Sequence, residues 1–232
     1  MHPTGKAIRV LRVLIFIFPF LHFFSSLSAA GGIGRPTAST DVQNYTKLSF
    51  TYEHLEPEID SSHSAFRGKA REERMLLRAG YSPMRFVDVY LRLGVAAHET
   101  PSRNFNGSLG PAYGAGARWT FYQKKDLALG MGLQFLEYWT RDGGGAASRL
   151  RWDEIEWYAG GTLEGFDWMV PYFGVRLTEA RGDFRGGPTV HLRHFIDLFI
   201  GADFHVYERF SFLTEARFLH ENGLSVALAY DL

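Results

Sequence analysis

Apolar residues occupy every second position through most of the chain after residue 45, which is the repeat of a β-strand whose two faces meet different surroundings. The last segment places these apolar residues on one face: Leu224, Val226, Leu228, Tyr230 and Leu232. Small or charged residues, such as Ser225 and Asp231, occupy the other face. The same alternation recurs nine times upstream, so the pattern predicts ten strands.

The connections between these segments alternate in length. Long connections, such as residues 56–69 and 98–110, alternate with short turns such as residues 82–85 and 123–126, and residues 220–223 form a short connection where a long one is due. A short rim and a long rim are typical of bacterial outer-membrane β-barrels, whose periplasmic turns are short and whose outer loops are longer. An even number of strands also returns both ends of the barrel to the periplasmic side.

The composition of the two faces distinguishes a membrane barrel from a soluble β-sandwich or a lipocalin-like barrel. If the apolar face formed a core, Gly114, Gly116, Gly130 and Gly132 would face water. If the face that carries these glycines lines the lumen instead, the glycines leave room for long Arg and Glu side chains, and the apolar face meets hydrocarbon. We therefore predict an all-β fold, a transmembrane antiparallel up-and-down β-barrel of ten strands, with eight strands as the alternative count.

The first thirty residues have the three parts of a cleaved secretory signal peptide: a basic start, an apolar run, and small residues at Ser28 and Ala30. The apolar run is about a dozen residues long, whereas a membrane-spanning helix needs about 20. We therefore predict a signal peptide over residues 1–30, a flexible periplasmic linker over residues 31–44, and the barrel over residues 45–232.

The final strand resembles the C-terminal assembly signal of bacterial outer-membrane β-barrel proteins. Val226 and Leu228 match its alternating apolar residues, Tyr230 matches its aromatic residue two places before the end, and Leu232 stands where the usual residue is Phe. The resemblance implies a small barrel of the OmpA or OmpX type in the outer membrane of a Gram-negative cell. It also implies contact with outer-membrane lipid and lipopolysaccharide, and recognition of the last strand by the barrel-assembly machinery.

Composition excludes several classes of partner and site. Lys and Arg number 25, as do Asp and Glu, so the net charge is zero and we expect no nucleic-acid partner. Cysteine is absent, which excludes disulfides, thiolate metal sites and cysteine nucleophiles. We expect no cofactor and no metal, and the sequence leaves open which partner, if any, the outer loops bind.

Charged residues of both signs concentrate on the predicted lumen face near mid-height: Glu53, Arg74, Arg92, Glu154, Glu156, Arg176, Asp197, Glu215 and Arg217. A ten-stranded barrel is only slightly wider than an eight-stranded one, whose interior side chains fill. The pattern therefore predicts an ion-pair network that fills the lumen. A structural, adhesive or narrow-pore role follows, with a constitutive small-solute porin or a small outer-membrane hydrolase as alternatives.

No catalytic site is predicted. Asp203 and His205 resemble an omptin protease pair in residue type, but they lie beside the short turn at residues 207–210, on the periplasmic side. His54 is a lone outward candidate for a lipase or a deacylase. The Arg-Gly-Asp tripeptide at residues 181–183 falls in a predicted outer loop, where it would be open to a receptor. His191 and His194 are three positions apart, which places them on opposite faces of a strand and disfavours a metal chelate.

Aromatic residues gather near the predicted strand ends, as in the two interfacial girdles of a membrane barrel. One set lies near the short turns: Trp119, Phe121, Tyr122, Trp168, Tyr207, Phe210 and Tyr230. The other lies near the long connections: Tyr138, Trp139 and Trp152. We expect both sets on the outside of the barrel. We also expect Gly130→Ala, on the inside, to destabilise the barrel less than Leu129→Arg on the lipid face.

Overall fold

The computed structural model of the chain describes these residues: 34–38, 45–61, 67–101, 105–142, 149–185, 187, 189–193 and 196–232. The predicted signal peptide lies outside the described residues. Within the described residues, no helix is long and apolar enough to cross a membrane.

The described residues form ten long strands and three short ones. Their bounds are β1 (Tyr45–Ser61), β2 (Arg67–Lys69), β3 (Arg71–Met84), β4 (Val87–Thr100), β5 (Phe105–Ser108), β6 (Gly110–Lys124), β7 (Leu127–Asp142), β8 (Arg149–Leu163), β9 (Met169–Phe184), β10 (Thr189–Leu192), β11 (Ile196–Tyr207), β12 (Phe210–Phe218) and β13 (Glu221–Asp231).

The ten long strands close into a ring in which each is antiparallel to both neighbours. The order around the ring is β1, β3, β4, β6, β7, β8, β9, β11, β12 and β13. The ring closes where β13 pairs with β1, from Lys47 opposite Asp231 to Pro57 opposite Glu221. The predicted up-and-down barrel of ten strands is confirmed.

The three short strands lie within the long connections, at the outer end of the barrel. Strand β2 pairs with β1, and β5 joins β4 to β7 above the start of β6. Strand β10 pairs with β9 and with β1, above the ends of β11, β12 and β13. The outer end of the wall is therefore continued by pieces of the loops themselves.

The outward face of the barrel is apolar. Large exposed side chains on this face include Phe50, Leu77, Leu91, Leu93, Phe121, Trp157, Phe173, Ile200 and Leu228. Leu91 is 61% exposed, whereas its inward neighbour Arg92 is 3% exposed. Such a surface would be costly in water and suits contact with hydrocarbon.

Two of the predicted girdle residues lie inside the barrel. Tyr138 and Trp152 are 0% and 1% exposed, and they share the inward face of their strands with Gln134 and Glu154. The girdle prediction was wrong for this pair, because it used distance from the strand end and ignored the parity that separates Tyr138 from the outward-facing Trp139. Both side chains belong to an apolar layer at the outer end of the lumen.

Residues 34–38 lie inside the lumen, and all but Arg35 are buried. Alternation predicted the strands but offered no signal for this segment, which was expected to be part of a flexible linker below the barrel. Over these five residues the chain is instead held by hydrogen bonds to the inner wall.

Candidate functional site

The barrel interior is the candidate functional site, and its side chains form three layers along the barrel axis. A layer of charged residues occupies the middle. An apolar layer closes the outer end, and residues 34–38 with a group of polar side chains occupy the periplasmic end. The inward-facing strand positions supply the wall contacts of all three layers.

Arg74 organises one half of the charged layer. Its guanidinium donates hydrogen bonds to Glu154, at 2.5 and 3.1 Å, and to Glu72 at 2.5 Å. It also lies 3.7 Å from Glu53, whose other oxygen accepts a hydrogen bond from Arg92. All five side chains are at least nine-tenths buried. Buried ions of this kind are tolerated only when they are paired, so this half depends on each of its partners.

Arg176 and Arg217 organise the other half. Arg176 donates hydrogen bonds to Glu156 and Asp197, and lies 2.5 Å from Glu221. Arg217 donates to Glu156 at 3.3 Å and to Glu221 at 3.2 Å, and it pairs with Glu215. Because Glu156 accepts from both arginines, the carboxylates connect strands that are not neighbours in the wall.

The structure brings all nine predicted lumen residues into this one layer, and every one of them is buried. It adds Glu72, Glu221 and Gln134, which the sequence analysis did not include. Gln134 donates a hydrogen bond to Glu156. Glu72 and Gln134 stand on the predicted inward face, so parity could have found them, but parity does not give the height along the barrel. Glu221 falls within residues 220–223, which were predicted to be a connection and instead begin β13.

Inward glycines face tyrosines across neighbouring strands. A Cβ atom at each of three glycines would lie within 2.5 Å of a tyrosine ring: Gly116 beside Tyr90, Gly132 beside Tyr158, and Gly201 beside Tyr172. The tyrosine hydroxyls reach into the charged layer, where Tyr90 donates to Gln134 and Tyr172 donates to Glu215. The glycines therefore make room mainly for aromatic rings, and not for the Arg and Glu side chains expected from the sequence.

An apolar cap closes the outer end of the lumen. Its larger members are Ile59, Leu76, Phe105, Leu136, Tyr138, Leu150, Trp152, Phe184 and Val190. Phe105 of β5 and Phe184 of β9 pack edge to face at 5.0 Å. The cap rests directly on the charged layer, since Trp152 donates a hydrogen bond to Glu154 and the Arg74 guanidinium lies 5.6 Å from the Tyr138 ring centre.

A hydroxyl, an imidazole and a carboxylate form a chain beside the aromatic residues of this cap, with the His98 ring 5.0 Å from that of Trp152. Thr100 Oγ1 lies 3.1 Å from His98 Nε2, and His98 Nδ1 lies 3.2 Å from Glu72 Oε1 and 3.1 Å from the Tyr138 hydroxyl. This is the order of groups in a nucleophile, base and acid triad. Thr100, His98 and Glu72 are at most 1% exposed, however, so no substrate can reach the hydroxyl in this conformation.

The periplasmic layer holds residues 34–38. The Gly34 amide donates to Glu215 at 3.0 Å, and the Ala38 amide donates to Thr120 at 3.0 Å. Arg35 donates to Asp203 at 2.9 Å and lies 2.8 Å from His205 Nε2. The segment thus has its Ala38 end near the short turns and its Gly34 end at the charged layer. A cavity of about 400 Å³ remains beside it, with Lys47 and Arg118 among its lining residues.

No protein-family model and no curated protein matches the chain. Among solved structures, an outer membrane channel from Pseudomonas putida F1 is similar over 87% of this chain and 100% of its own, with a TM-score of 0.52 and 10% sequence identity. With the closed ring and its apolar exterior, this likeness in fold is decisive. The chain has the β-barrel fold of bacterial outer-membrane proteins.

Two further barrels align with lower scores. The outer membrane protease OmpT from Escherichia coli covers 84% of this chain and 100% of its own, at a TM-score of 0.46 and 9% identity. Neisserial surface protein A covers 81% and 97%, at a TM-score of 0.42 and 15% identity.

The remaining sequence candidates do not come together into one site among the described residues. Asp203 and His205 bind Arg35 inside the periplasmic end. His54 faces outward, 3.6 Å from Glu73. Arg181 and Asp183 pair with each other on β9, so the tripeptide belongs to a strand and not to the outer loop that was predicted. His191 is on β10, and His194 lies outside the described residues.

The C-terminal strand presents the residues of its predicted assembly signal on the outward face of the barrel. Leu228 and Leu232 are exposed, and Val226 and Tyr230 are partly exposed on the same face. Tyr230 packs against Phe210 of the neighbouring strand in a tilted arrangement, with ring centres 4.7 Å apart. Recognition of this strand by the barrel-assembly machinery stays a prediction.

Proposed function

We propose that this outer-membrane barrel has no constitutive aqueous channel and serves a structural or adhesive role through its outer surface. The observation that carries the proposal is the filling of the lumen by three successive layers: residues 34–38, the ion-pair network and the apolar cap. A solute that passed the first layer would still meet a buried ion-pair network and then an apolar barrier.

The energetics of the middle layer support a closed lumen. Opening it would separate Arg176 from Glu156 and Asp197, or Arg74 from Glu154 and Glu72. Breaking one partner out of a buried pair costs about 3 to 5 kcal/mol, because the other charge is left without compensation. Several such contacts would have to break together to form a continuous path.

A narrow or gated pore is the second candidate, and one observation favours it. Among the described residues, several buried atoms of the charged layer have no hydrogen-bond partner: Glu53 Oε2, Arg74 Nε, Arg92 Nη1 and Arg176 Nε. Buried polar atoms of this kind are commonly satisfied by ordered water. A file of water molecules through these positions would give protons or small ions a path.

Conductance in a planar lipid bilayer tests the proposal. The refolded mature barrel should show only rare, small openings beside a general porin measured under the same conditions. Deleting residues 31–38 should leave the conductance low, because the ion-pair network and the cap remain. A large, steady wild-type conductance would replace the proposal with a porin. A large conductance that appears only after the deletion would favour the gated pore.

The proposal assigns no catalytic activity to the barrel. The burial of the Thr100, His98 and Glu72 chain supports this, because a nucleophile must be reachable by its substrate. Hydrolysis of a small ester by the purified barrel, abolished by Thr100→Ala and retained by Thr178→Ala, would instead make the protein a hydrolase. We expect no hydrolysis above that of buffer in any of the three proteins.

A further inference from the structure

Three arginines form one row across β7, β8 and β9 at the outer end of the barrel wall. Arg141 of β7 is directly opposite Arg149 of β8, and the Arg185 amide at the end of β9 donates a 2.8 Å hydrogen bond to the Arg149 carbonyl. All three residues are exposed. Arg141 and Arg149 continue the outward faces of their strands, and we call the three residues the arginine row.

The rows just below it on the same wall are electrically balanced. Arg151 pairs with Glu137 at 2.8 Å and with Asp153 at 3.2 Å, and Arg181 pairs with Asp183 at 3.1 Å. These ion pairs place an acidic group beside each basic one. On this wall, acidic side chains therefore pair with the arginines of the lower rows, and these ion pairs stop one row below the arginine row.

The arginine row makes no side-chain ion pair among the described residues. The connection between Arg141 and Arg149 cannot supply one, because residues 143–148 read Gly-Gly-Gly-Ala-Ala-Ser. Asp142 falls on the opposite face by strand alternation. Like charges directly opposite on neighbouring strands repel, so the row is destabilising unless an anion binds it. Guanidinium groups bind phosphate well, since their N–H donors match its oxygens in pairs.

Height along the wall selects the kind of anion. Arg141 and Arg149 each stand six positions above Phe135 and Ile155, where the apolar belt of these strands ends. Six residues rise roughly 20 Å along a strand, or about 15 Å along the membrane normal at a tilt near 40°. Phospholipid headgroups extend only about 5 to 8 Å beyond the hydrocarbon. A phosphate at the level of the row must therefore sit on a taller headgroup.

We propose that Arg141, Arg149 and Arg185 bind phosphate groups on the saccharide part of lipopolysaccharide in the outer leaflet. The wall below the row is the lipid-facing wall of the same strands, so the molecule that covers the row is a membrane component. Trp139 lies one outward position below Arg141, where its ring can pack on the same glycolipid. This inference rests on the outer-membrane location and not on whether the lumen conducts.

The test is a titration of the refolded mature barrel, in detergent, with purified lipopolysaccharide. The variant Arg141→Gln/Arg149→Gln/Arg185→Gln should weaken binding about tenfold or more, as expected for the loss of charge-assisted phosphate contacts. The matched control is Arg85→Gln/Arg209→Gln, which removes exposed arginines from the periplasmic turns. It should bind like the wild type. Heat-dependent gel mobility verifies that every variant is folded.

Three further ligands make the assignment specific. Lipopolysaccharide stripped of its phosphates should bind the wild type as weakly as intact lipopolysaccharide binds the triple variant. Phosphatidylglycerol should bind the wild type and the triple variant equally. Heparin serves as a soluble polyanion, and tighter binding of heparin than of lipopolysaccharide through the same arginines would overturn the lipid assignment. Equal affinity of wild type and triple variant for lipopolysaccharide would overturn the site itself.

Discussion

The backbone amide of Gly34 donates a 3.0 Å hydrogen bond to the side chain of Glu215, a residue 181 positions further along the chain. Glu215 also pairs with Arg217 and accepts a hydrogen bond from Tyr172. Through this one carboxylate, the segment that precedes the first strand is attached to the ion-pair network of the lumen. The periplasmic layer and the middle layer are therefore one connected structure.

Cysteine labelling should detect the N-terminal segment inside the lumen, because the natural chain contains no cysteine. Thr37 is 2% exposed and bonds to Thr162, so a Thr37→Cys variant should react with a membrane-impermeant maleimide at least about tenfold more slowly than Lys125→Cys, at an exposed turn. Equal labelling rates in the folded barrel would mean that the segment spends most of its time outside.

Gly130→Ala should displace the N-terminal segment. A Cβ at Gly130 would lie 2.6 Å from the Pro36 carbonyl oxygen and 2.8 Å from Thr37 Cα, both backbone atoms of the segment. We therefore expect Gly130→Ala to speed the labelling of Thr37→Cys, an effect that the sequence did not predict. Gly80→Ala is the control, since its Cβ would meet only ordinary contacts, the nearest at 3.7 Å. An unchanged labelling rate in Gly130→Ala would contradict the close approach of Gly130 to Pro36 and Thr37.

The facing of the strands can be tested with two exposed leucines. Leu91 is 61% exposed within the apolar belt, and Leu109 is 56% exposed in the connection before β6. Leu91→Arg should lower the free energy of unfolding in lipid by about 2 to 4 kcal/mol, because arginine near the bilayer midplane is poorly solvated. Leu109→Arg should change it by less than about 1 kcal/mol. Similar values for the two variants in urea titrations would contradict the assigned lipid face.

Two tryptophans on β8 test the apolar cap. Trp152 is 1% exposed inside the lumen, and Trp157, five positions further along, is 49% exposed on the outer wall. Trp152→Ala should cost about 3 to 5 kcal/mol of unfolding free energy, since it leaves a cavity and removes the hydrogen bond to Glu154. Trp157→Ala should cost clearly less, because lipid fills the space. A larger loss at Trp157 would assign the two faces the wrong way round.

Strand alternation predicted the faces of the barrel well, because lumen and lipid alternate with the same period of two as the side chains. That is why Arg92 and Glu53 could be placed inside from the sequence alone. Alternation does not give the position of a residue along the barrel axis, because that position depends on the tilt and stagger of the whole ring. Tyr138 and Trp152 were placed in a girdle for another reason: the prediction used their distance from the strand end and ignored their parity, which places them in the cap.

The N-terminal segment was missed for a different reason. Residues 34–38 have no periodic pattern, and their hydrogen bonds run to residues far along the chain, such as Thr120 and Glu215. Such contacts exist only once the barrel has closed. These contacts therefore cannot be predicted from the local sequence.

The conductance of the Arg92→Ala variant distinguishes a filled lumen from an open one. Arg92 donates a hydrogen bond to Glu53, which is 0% exposed. Within the part of the chain that the structure describes, the second cation beside this carboxylate is Arg74, at 3.7 Å. Arg92→Ala strands this carboxylate, which costs several kcal/mol unless water enters to solvate it. Water entry widens the path through the middle layer, and the lumen gains net negative charge. We therefore expect Arg92→Ala to raise conductance above that of the wild type and to favour cations.

Two matched variants decide whether the stranded charge is the cause. Arg92→Ala/Glu53→Gln removes the uncompensated carboxylate and should return conductance toward the wild-type level, in a double-mutant cycle measured in planar bilayers. Arg151→Ala removes an arginine that is 53% exposed on the outer wall, and it should leave conductance unchanged. A rise that persists in the double variant would assign the effect to lost volume rather than to charge. A large wild-type conductance, unaltered by Arg92→Ala, would show that the network does not close the lumen, because a path that already carries ions does not depend on this pair.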